Sequence, residues 1–247
     1  MTDNGHHTMP DGRRIACRFT PGTMPAIVFL PGYMSDMEGG KASALFAQCK
    51  VDGRACLLLD YSGCGQSSGD FADGTLSRWR DEVLALIAAH ELERVVLVGS
   101  SMGGWLMLLA GLALDGDRLA GLVGIAAAPD FTQWGRTDTE RAALERGETV
   151  YEPSEYGDPL PHHPGFHADG EAHRLLDTDI ALTCPVRLLH GQDDIAVPPA
   201  LSTQLAAALR SDDIQVTLVK AGDHRLSRPS DIALLLRTVA GLADNTA

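Results

Sequence analysis

The chain is short of positive charge, aromatic rings, cysteine pairs and long apolar runs, and each shortage removes a class of function. Its 20 lysines and arginines face 33 aspartates and glutamates, a formal net charge of −13. Such a surface repels phosphate backbones and anionic lipid heads, so no nucleic-acid partner is expected. No stretch approaches the ~20 apolar residues needed to cross a bilayer, so no membrane insertion is expected either. Residues 1–12 are polar, unlike a secretory leader, and read as a frayed end, as do the last few residues. The five cysteines (Cys17, Cys49, Cys56, Cys64, Cys184) are odd in number and scattered without C-x-x-C. That argues against a disulfide framework or a zinc site and for a reducing, cytoplasmic setting. No repeat or low-complexity tract occurs.

What is present suits one soluble domain. The chain has 247 residues, 45% hydrophobic and 21% charged, enough for a sizeable core and one inserted segment. Apolar runs of strand length fall at residues 26–30, 55–59, 94–99, 119–127, 186–190 and 214–219, with a shorter candidate at 13–20. Helical patterns at 41–49, 76–92, 102–114, 200–209 and 232–242 alternate with them. Thr75 or Ser77 is a fitting N-cap for the second helix. Strands apolar on both faces, alternating with amphipathic helices, predict an α/β fold: a mostly parallel sheet covered on both sides. Residues 130–183 interrupt the alternation with a polar, His- and Pro-rich stretch, helical at most near 137–146 and 171–176. The expected organisation is one domain with a core at about 13–129 and 184–243 and a lid inserted at about 130–183.

The chemistry centres on Val95-Val96-Leu97-Val98-Gly99-Ser100-Ser101-Met102-Gly103-Gly104. A buried strand runs into G-x-S-x-G and straight on into a helix, the order a nucleophile elbow requires. Ser101 fits the register with Gly99 and Gly103 two residues to either side; Ser100 would put Val98 and Met102 there. The rival reading is a plain Gly-rich turn between strand and helix. A serine hydroxyl is a weak nucleophile and needs a base, itself oriented by an acid. The strand at 186–190 ends in His190-Gly191-Gln192-Asp193-Asp194, and the strand at 214–219 leads to Ala221-Gly222-Asp223-His224. The order Ser, Asp, His at three strand ends of one sheet edge assigns Asp194 as acid and His224 as general base. Asp193 and Asp130 are the rival acids.

Backbone N–H groups must receive the developing oxyanion. Met102, directly after the nucleophile, supplies one, and Tyr33, in the turn Leu30-Pro31-Gly32-Tyr33, the other. Among only 13 aromatic residues, Trp105, Phe131 and Trp134 are candidate pocket walls, with Tyr151 and Phe166 behind them. Arg225 is a candidate contact for an anionic substrate. Core packing and an ordinary ion pair are the plainer roles. His162, His163, His167 and His173, with Asp169 and Glu171, match no compact ligand motif, so they read as solvent-facing histidines and no metal or cofactor is expected.

Asp60-Tyr61-Ser62-Gly63-Cys64-Gly65-Gln66-Ser67 and the elbow, acid and histidine motifs together resemble the serine hydrolases of the α/β-hydrolase superfamily over about residues 13–243. Leu30-Pro31-Gly32-Tyr33-Met34-Ser35-Asp36-Met37, Gly104-Trp105-Leu106-Met107-Leu108, Pro185-Val186-Arg187-Leu188-Leu189-His190-Gly191 and Asp223-His224-Arg225 are similar to its mitochondrial palmitoyl-protein thioesterase group. Glu152-Pro153-Ser154-Glu155-Tyr156 carries an echo of the same group. The resemblance implies hydrolysis of acyl thioesters or esters, S-acyl proteins and acyl glucuronides among them. An Asp-nucleophile dehalogenase or epoxide hydrolase is disfavoured by the serine. A carbon–carbon bond hydrolase, an aminopeptidase and a non-catalytic binding protein on the same scaffold stay open. A monomer or small homo-oligomer is the expected assembly.

Overall fold

A computed structural model describes residues 3–114, 116–153 and 159–246. Ser154, Glu155 and Tyr156 of the 152–156 motif lie outside the described residues. The apolar runs pair into an eight-stranded sheet among those residues, in the order β1-β2-β4-β3-β5-β6-β9-β10. The strands are β1 (Asp3–Thr8), β2 (Arg14–Thr20), β3 (Thr23–Leu30), β4 (Arg54–Leu59), β5 (Val95–Ser100), β6 (Leu119–Ile125), β9 (Val186–Gly191) and β10 (Ile214–Val219). Strands β7 (Val150–Glu152) and β8 (Leu160–His162) form a separate antiparallel pair. From β4 to β10 neighbouring strands run parallel; β1 and β2 are antiparallel additions at one edge.

Side-chain alternation explains why these strands are apolar throughout. Val28, Leu30, Val95 and Leu97 face one core cluster, which α2 (Leu76–Ala89) and α3 (Met102–Ala113) cover. Ile27, Phe29, Val96 and Val98 face the other, beneath α1 (Gly40–Asp52) and α8 (Pro229–Asn245). With helices on both faces neither set of side chains meets water. The parallel strands all end at one edge, and the loops that leave β3, β5, β6, β9 and β10 meet there.

Local chemistry sets several boundaries differently from the sequence pattern. Residues 3–8, expected to fray, form β1: its backbone pairs with β2 from Asp3–Phe19 to Thr8–Arg14, a gain that polar side chains do not advertise. Among the last residues, likewise expected to fray, α8 runs to Asn245; it begins early, at Pro229, where Asp231 accepts from the Arg228 N–H. Thr75, not Ser77, caps α2 by accepting from the Arg78 N–H. That helix stops at Ala89, since Glu91 takes a positive φ of 51°. Strand β6 stops at Ile125 for a similar reason, Ala126 having φ 44°.

Between β6 and β9 the chain forms α4 (Phe131–Trp134), α5 (Asp138–Glu145), the β7–β8 pair and α6 (Pro164–Ala172). A capping box between Thr137 and Glu140 starts α5 where the sequence placed it. The helix expected at 171–176 instead begins seven residues earlier, with Pro164 in its first turn. Leu175 and Leu176 fall outside it because their N–H groups donate to Asp130. After Ala172 the remaining helix is α7 (Ala200–Ala208), which follows β9.

Candidate active site

Ser101 stands between β5 and α3 at φ 55°, ψ −120°, a strained conformation for a residue with a side chain. The two flanking glycines make that turn possible. A Cβ on Gly99 would lie 2.3 Å from the Gly103 carbonyl oxygen, and one on Gly103 would lie 2.1 Å from that of Leu30. Strand and helix thus pass at backbone contact, which is what the spacing G-x-S-x-G encodes. The turn is closed by Ser101 N–H donating to Ile125 O (2.9 Å) and Ala128 N–H donating to Ser101 O (3.1 Å).

Two loops from the same sheet edge reach this serine. His224 Nε2 lies 3.1 Å from Ser101 Oγ, and its Nδ1 lies 2.8 Å from Asp194 Oδ2. A carboxylate only accepts, so Nδ1 carries the proton and Nε2 is left as the acceptor for the serine hydroxyl. Asp194 has no exposed side-chain surface. Burial alone would push its carboxyl up. Hydrogen bonds from His190, His224 and the Val197 N–H outweigh that and hold it well below the ordinary carboxylate range. Oδ1 accepts from the N–H groups of both Ala196 and Val197, at 2.9 Å each. Neither rival acid takes this place. Asp193 lies exposed beside it, and Asp130 spends its carboxylate on the Leu175 and Leu176 N–H groups.

Met102 is the first residue of α3, where the N–H has no partner within the helix. The turn before Tyr33 runs alongside: a Cβ on Gly32 would sit 3.4 Å from Ser101 Cβ. Both candidate oxyanion donors therefore lie on backbone that borders the serine. Tyr33 is also held from above. Its O–H donates to Pro161 O (2.8 Å), and its ring stacks on His162 at 5.0 Å and meets Phe71, Phe131 and Phe166 edge-on. Burial pushes its phenol well above the ordinary range.

The candidate wall residues separate. Phe131 packs against Tyr33, Phe166 and Trp105. Trp105 is fully buried, its indole N–H donating to His173 O (3.1 Å), so it joins α3 to the end of α6. Trp134 turns away, donating to Pro129 O (2.7 Å) and packing beside Ala128, Val197 and Leu201. Arg225 is exposed next to His224, and its carbonyl accepts from Lys41 Nζ (2.5 Å).

Two of the histidines expected to face solvent do not. His162 and His167 are each 5% exposed. His162 contacts Arg136 (2.7 Å) and Glu152 (3.1 Å), partners 26 and 10 residues back along the inserted segment that sequence separation concealed. Among the described residues no three His, Cys, Asp or Glu side chains are placed to hold a metal ion. Asp60, in the motif at 60–67, has a structural role. It takes the Met37 and Gln66 N–H groups, and a Cβ on Gly65 would fall 2.2 Å from its Oδ2.

Residues 27–233 match the Alpha/beta hydrolase family. The chain belongs to that family. It is 40% identical over 238 residues to "Palmitoyl-protein thioesterase ABHD10, mitochondrial" of Mus musculus, covering 93% of this chain and 79% of that one. The Homo sapiens protein of the same name is 39% identical over 240 residues, 95% of this chain and 78% of that one. Alpha/beta hydrolase domain-containing protein 10 from mouse has the same architecture, with a TM-score of 0.90, 37% identity and 98% and 99% of the two chains covered. A hydrolase from Agrobacterium vitis S4 also superposes with a TM-score of 0.90, at 36% identity and 98% of each chain. The α/β-hydrolase fold and the thioesterase resemblance seen in the motifs thus extend over nearly the whole chain.

Proposed function

We propose that this protein is a serine hydrolase that cleaves acyl thioesters or esters through an acyl-Ser101 intermediate. The observation that carries the reading is His224, hydrogen-bonded to Ser101 Oγ through one nitrogen and to Asp194 through the other. His224 takes the hydroxyl proton as Oγ attacks the acyl carbonyl carbon. The Met102 and Tyr33 N–H groups receive the oxyanion, and Asp194 stabilises the imidazolium. Collapse breaks the bond to the leaving sulfur or oxygen, which the imidazolium protonates. Water, deprotonated by His224, then attacks the acyl-serine and releases the acid.

The name borne by the relatives points to a palmitoyl thioester on a protein as the substrate class. Residues 130–183, with Phe131 and Phe166 over the site, would act as the lid that selects the acyl chain. A cytoplasmic location and a monomer or small homo-oligomer complete the proposal; among the described residues no helix is long and apolar enough to cross a membrane.

A fluorophosphonate probe followed by mass spectrometry tests the reading. Label is expected on Ser101 and absent in Ser101→Ala, with turnover of p-nitrophenyl esters and acyl-CoAs falling at least about 10⁴-fold in that variant. An unlabelled Ser101, or turnover that survives Ser101→Ala, overturns it.

A further inference from the structure

Asp194 lies between two histidines, and the chemistry above uses only one. On the side away from His224, His190 Nε2 is 3.2 Å from the same carboxylate oxygen, Oδ2. His190 sits near the end of β9, four residues before Asp194, and has no exposed surface. Its other contacts fix where its proton sits. Nε2 is 3.0 Å from the Val197 carbonyl oxygen. A carbonyl can only accept, so Nε2 carries a proton, and in that tautomer Nδ1 is an acceptor. Ser202, buried on α7, is 2.7 Å from Nδ1 and donates its hydroxyl to it. One N–H thereby faces two acceptors, Asp194 Oδ2 and Val197 O, at either end of a short loop. The same loop returns two N–H groups, from Ala196 and Val197, to Oδ1.

We infer that His190 is a positioning residue for the candidate acid: locked as the Nε2–H tautomer by Ser202, it holds Asp194 Oδ2 and the Val197 carbonyl together and keeps the carboxylate aimed at His224. The inference rests on reading Ser101 and His224 as the groups that exchange the proton, with Asp194 orienting the imidazole, and His190 acts only through Asp194. The two backbone donors fix Oδ1 alone, about which the carboxylate can still pivot. His190 supplies a second point, on Oδ2, the oxygen that meets His224 Nδ1. Partners that orient metal-binding histidines are worth about 10- to 100-fold in activity, and an effect of that order is expected here.

The test compares wild type with His190→Phe, which keeps a ring but donates nothing, and His190→Gln, whose amide can donate to the same oxygens. Two readouts are taken: kcat and KM for p-nitrophenyl acetate, and the low-field proton resonance of His224 Nδ1–H in ¹⁵N-histidine-labelled protein. In His190→Phe, kcat is expected to fall about 10- to 100-fold with KM within about threefold, and the low-field resonance to shift or vanish. His190→Gln is expected to regain most of both. A folded His190→Phe with wild-type kcat and resonance overturns the inference, and so does a lower kcat with the resonance unchanged. Should the phenylalanine variant not fold, Ser202→Ala decides. Freeing Nδ1 is expected to lower kcat and shift the resonance, and wild-type values of both overturn the proposal. The resonance reads the His224–Asp194 bond without turnover. An inert wild type therefore refutes the hydrolase reading while the resonance still decides the role of His190.

Discussion

The loops that carry Ser101, Asp194 and His224 are tied down by backbone geometry, whereas the segment above them is anchored through side chains, some meeting side chains and some, as at Tyr33–Pro161 and Trp105–His173, meeting backbone carbonyls. At the elbow, glycine Cα atoms touch carbonyl oxygens, and Asp194 is gripped by two N–H groups of its own loop. Residues 130–183 instead rest on Thr132 against Glu171, Arg136 against His162 and Glu152, Asp169 against Ser77, and a cluster of rings around Tyr33. Backbone contacts leave no slack, which suits chemistry that loses rate steeply with displacement. Side-chain contacts between short elements open at lower cost, which suits the lid role proposed for this segment.

Substitutions can break this contrast or sharpen it. Gly103→Ala should have the largest effect. Its Cβ has no room beside Leu30 O, so the elbow must shift, lowering turnover by about 100-fold and stability by about 1–3 kcal/mol. Wild-type ester turnover in this variant would mean that the elbow tolerates slack after all. Phe166→Ala removes a ring that is 3% exposed and touches Tyr33, Trp79 and Phe131. A loss of about 3 kcal/mol in denaturant unfolding is expected, with a changed preference across C2 to C16 esters and short-ester kcat reduced only a few-fold. Unchanged chain-length preference would detach this segment from substrate selection.

Tyr33→Phe keeps the ring and the backbone N–H but deletes the bond to Pro161 O. About 1 kcal/mol of stability should go, with kcat for a short ester within about threefold. A kcat loss beyond tenfold would show that the inserted segment also sets the oxyanion donor, and the two regions would no longer be separable.

The smallest effect expected concerns pH. Burial first, then Arg136, pushes the His162 imidazole below its ordinary range, even though Glu152 pulls the other way. The unfolded chain therefore takes up a proton below about pH 6.5 that the folded chain refuses, so stability present above that pH is lost as pH falls. Calorimetry of His162→Gln should show a shallower fall in Tm between pH 7.5 and 5.5. The slope should not vanish, because His90 and His167 are shifted the same way by burial. An unchanged slope would place His162 outside the effect. Glu152 acts lower: its hydrogen bond from His162, with Arg136, holds it near about 2, so its contribution is lost as pH drops from its ordinary 4.5.

The buried strands were legible because a parallel sheet covered on both faces must be apolar at every position, and β5 is buried at all six. The elbow was legible because a Cβ on Gly103 would fall 2.1 Å from the Leu30 carbonyl oxygen and one on Gly99 2.3 Å from that of Gly103, so only glycine fits and both stand in the sequence as punctuation. The polar strand β1 and the β7–β8 pair were not, since their stability comes from pairing with a partner rather than from their own side chains.

By itself, then, the sequence determined the sheet, the order of its strand ends and the residues those ends present: Ser101, then Asp194, then His224. Tertiary structure alone decided that His190 meets the Asp194 carboxylate and that His162 leaves solvent to stack on Tyr33. The physical reason is range. Periodicity and glycine spacing report forces within a few residues of one another, whereas Ser101 and His224 are 123 residues apart, brought within 3.1 Å only when the sheet closes.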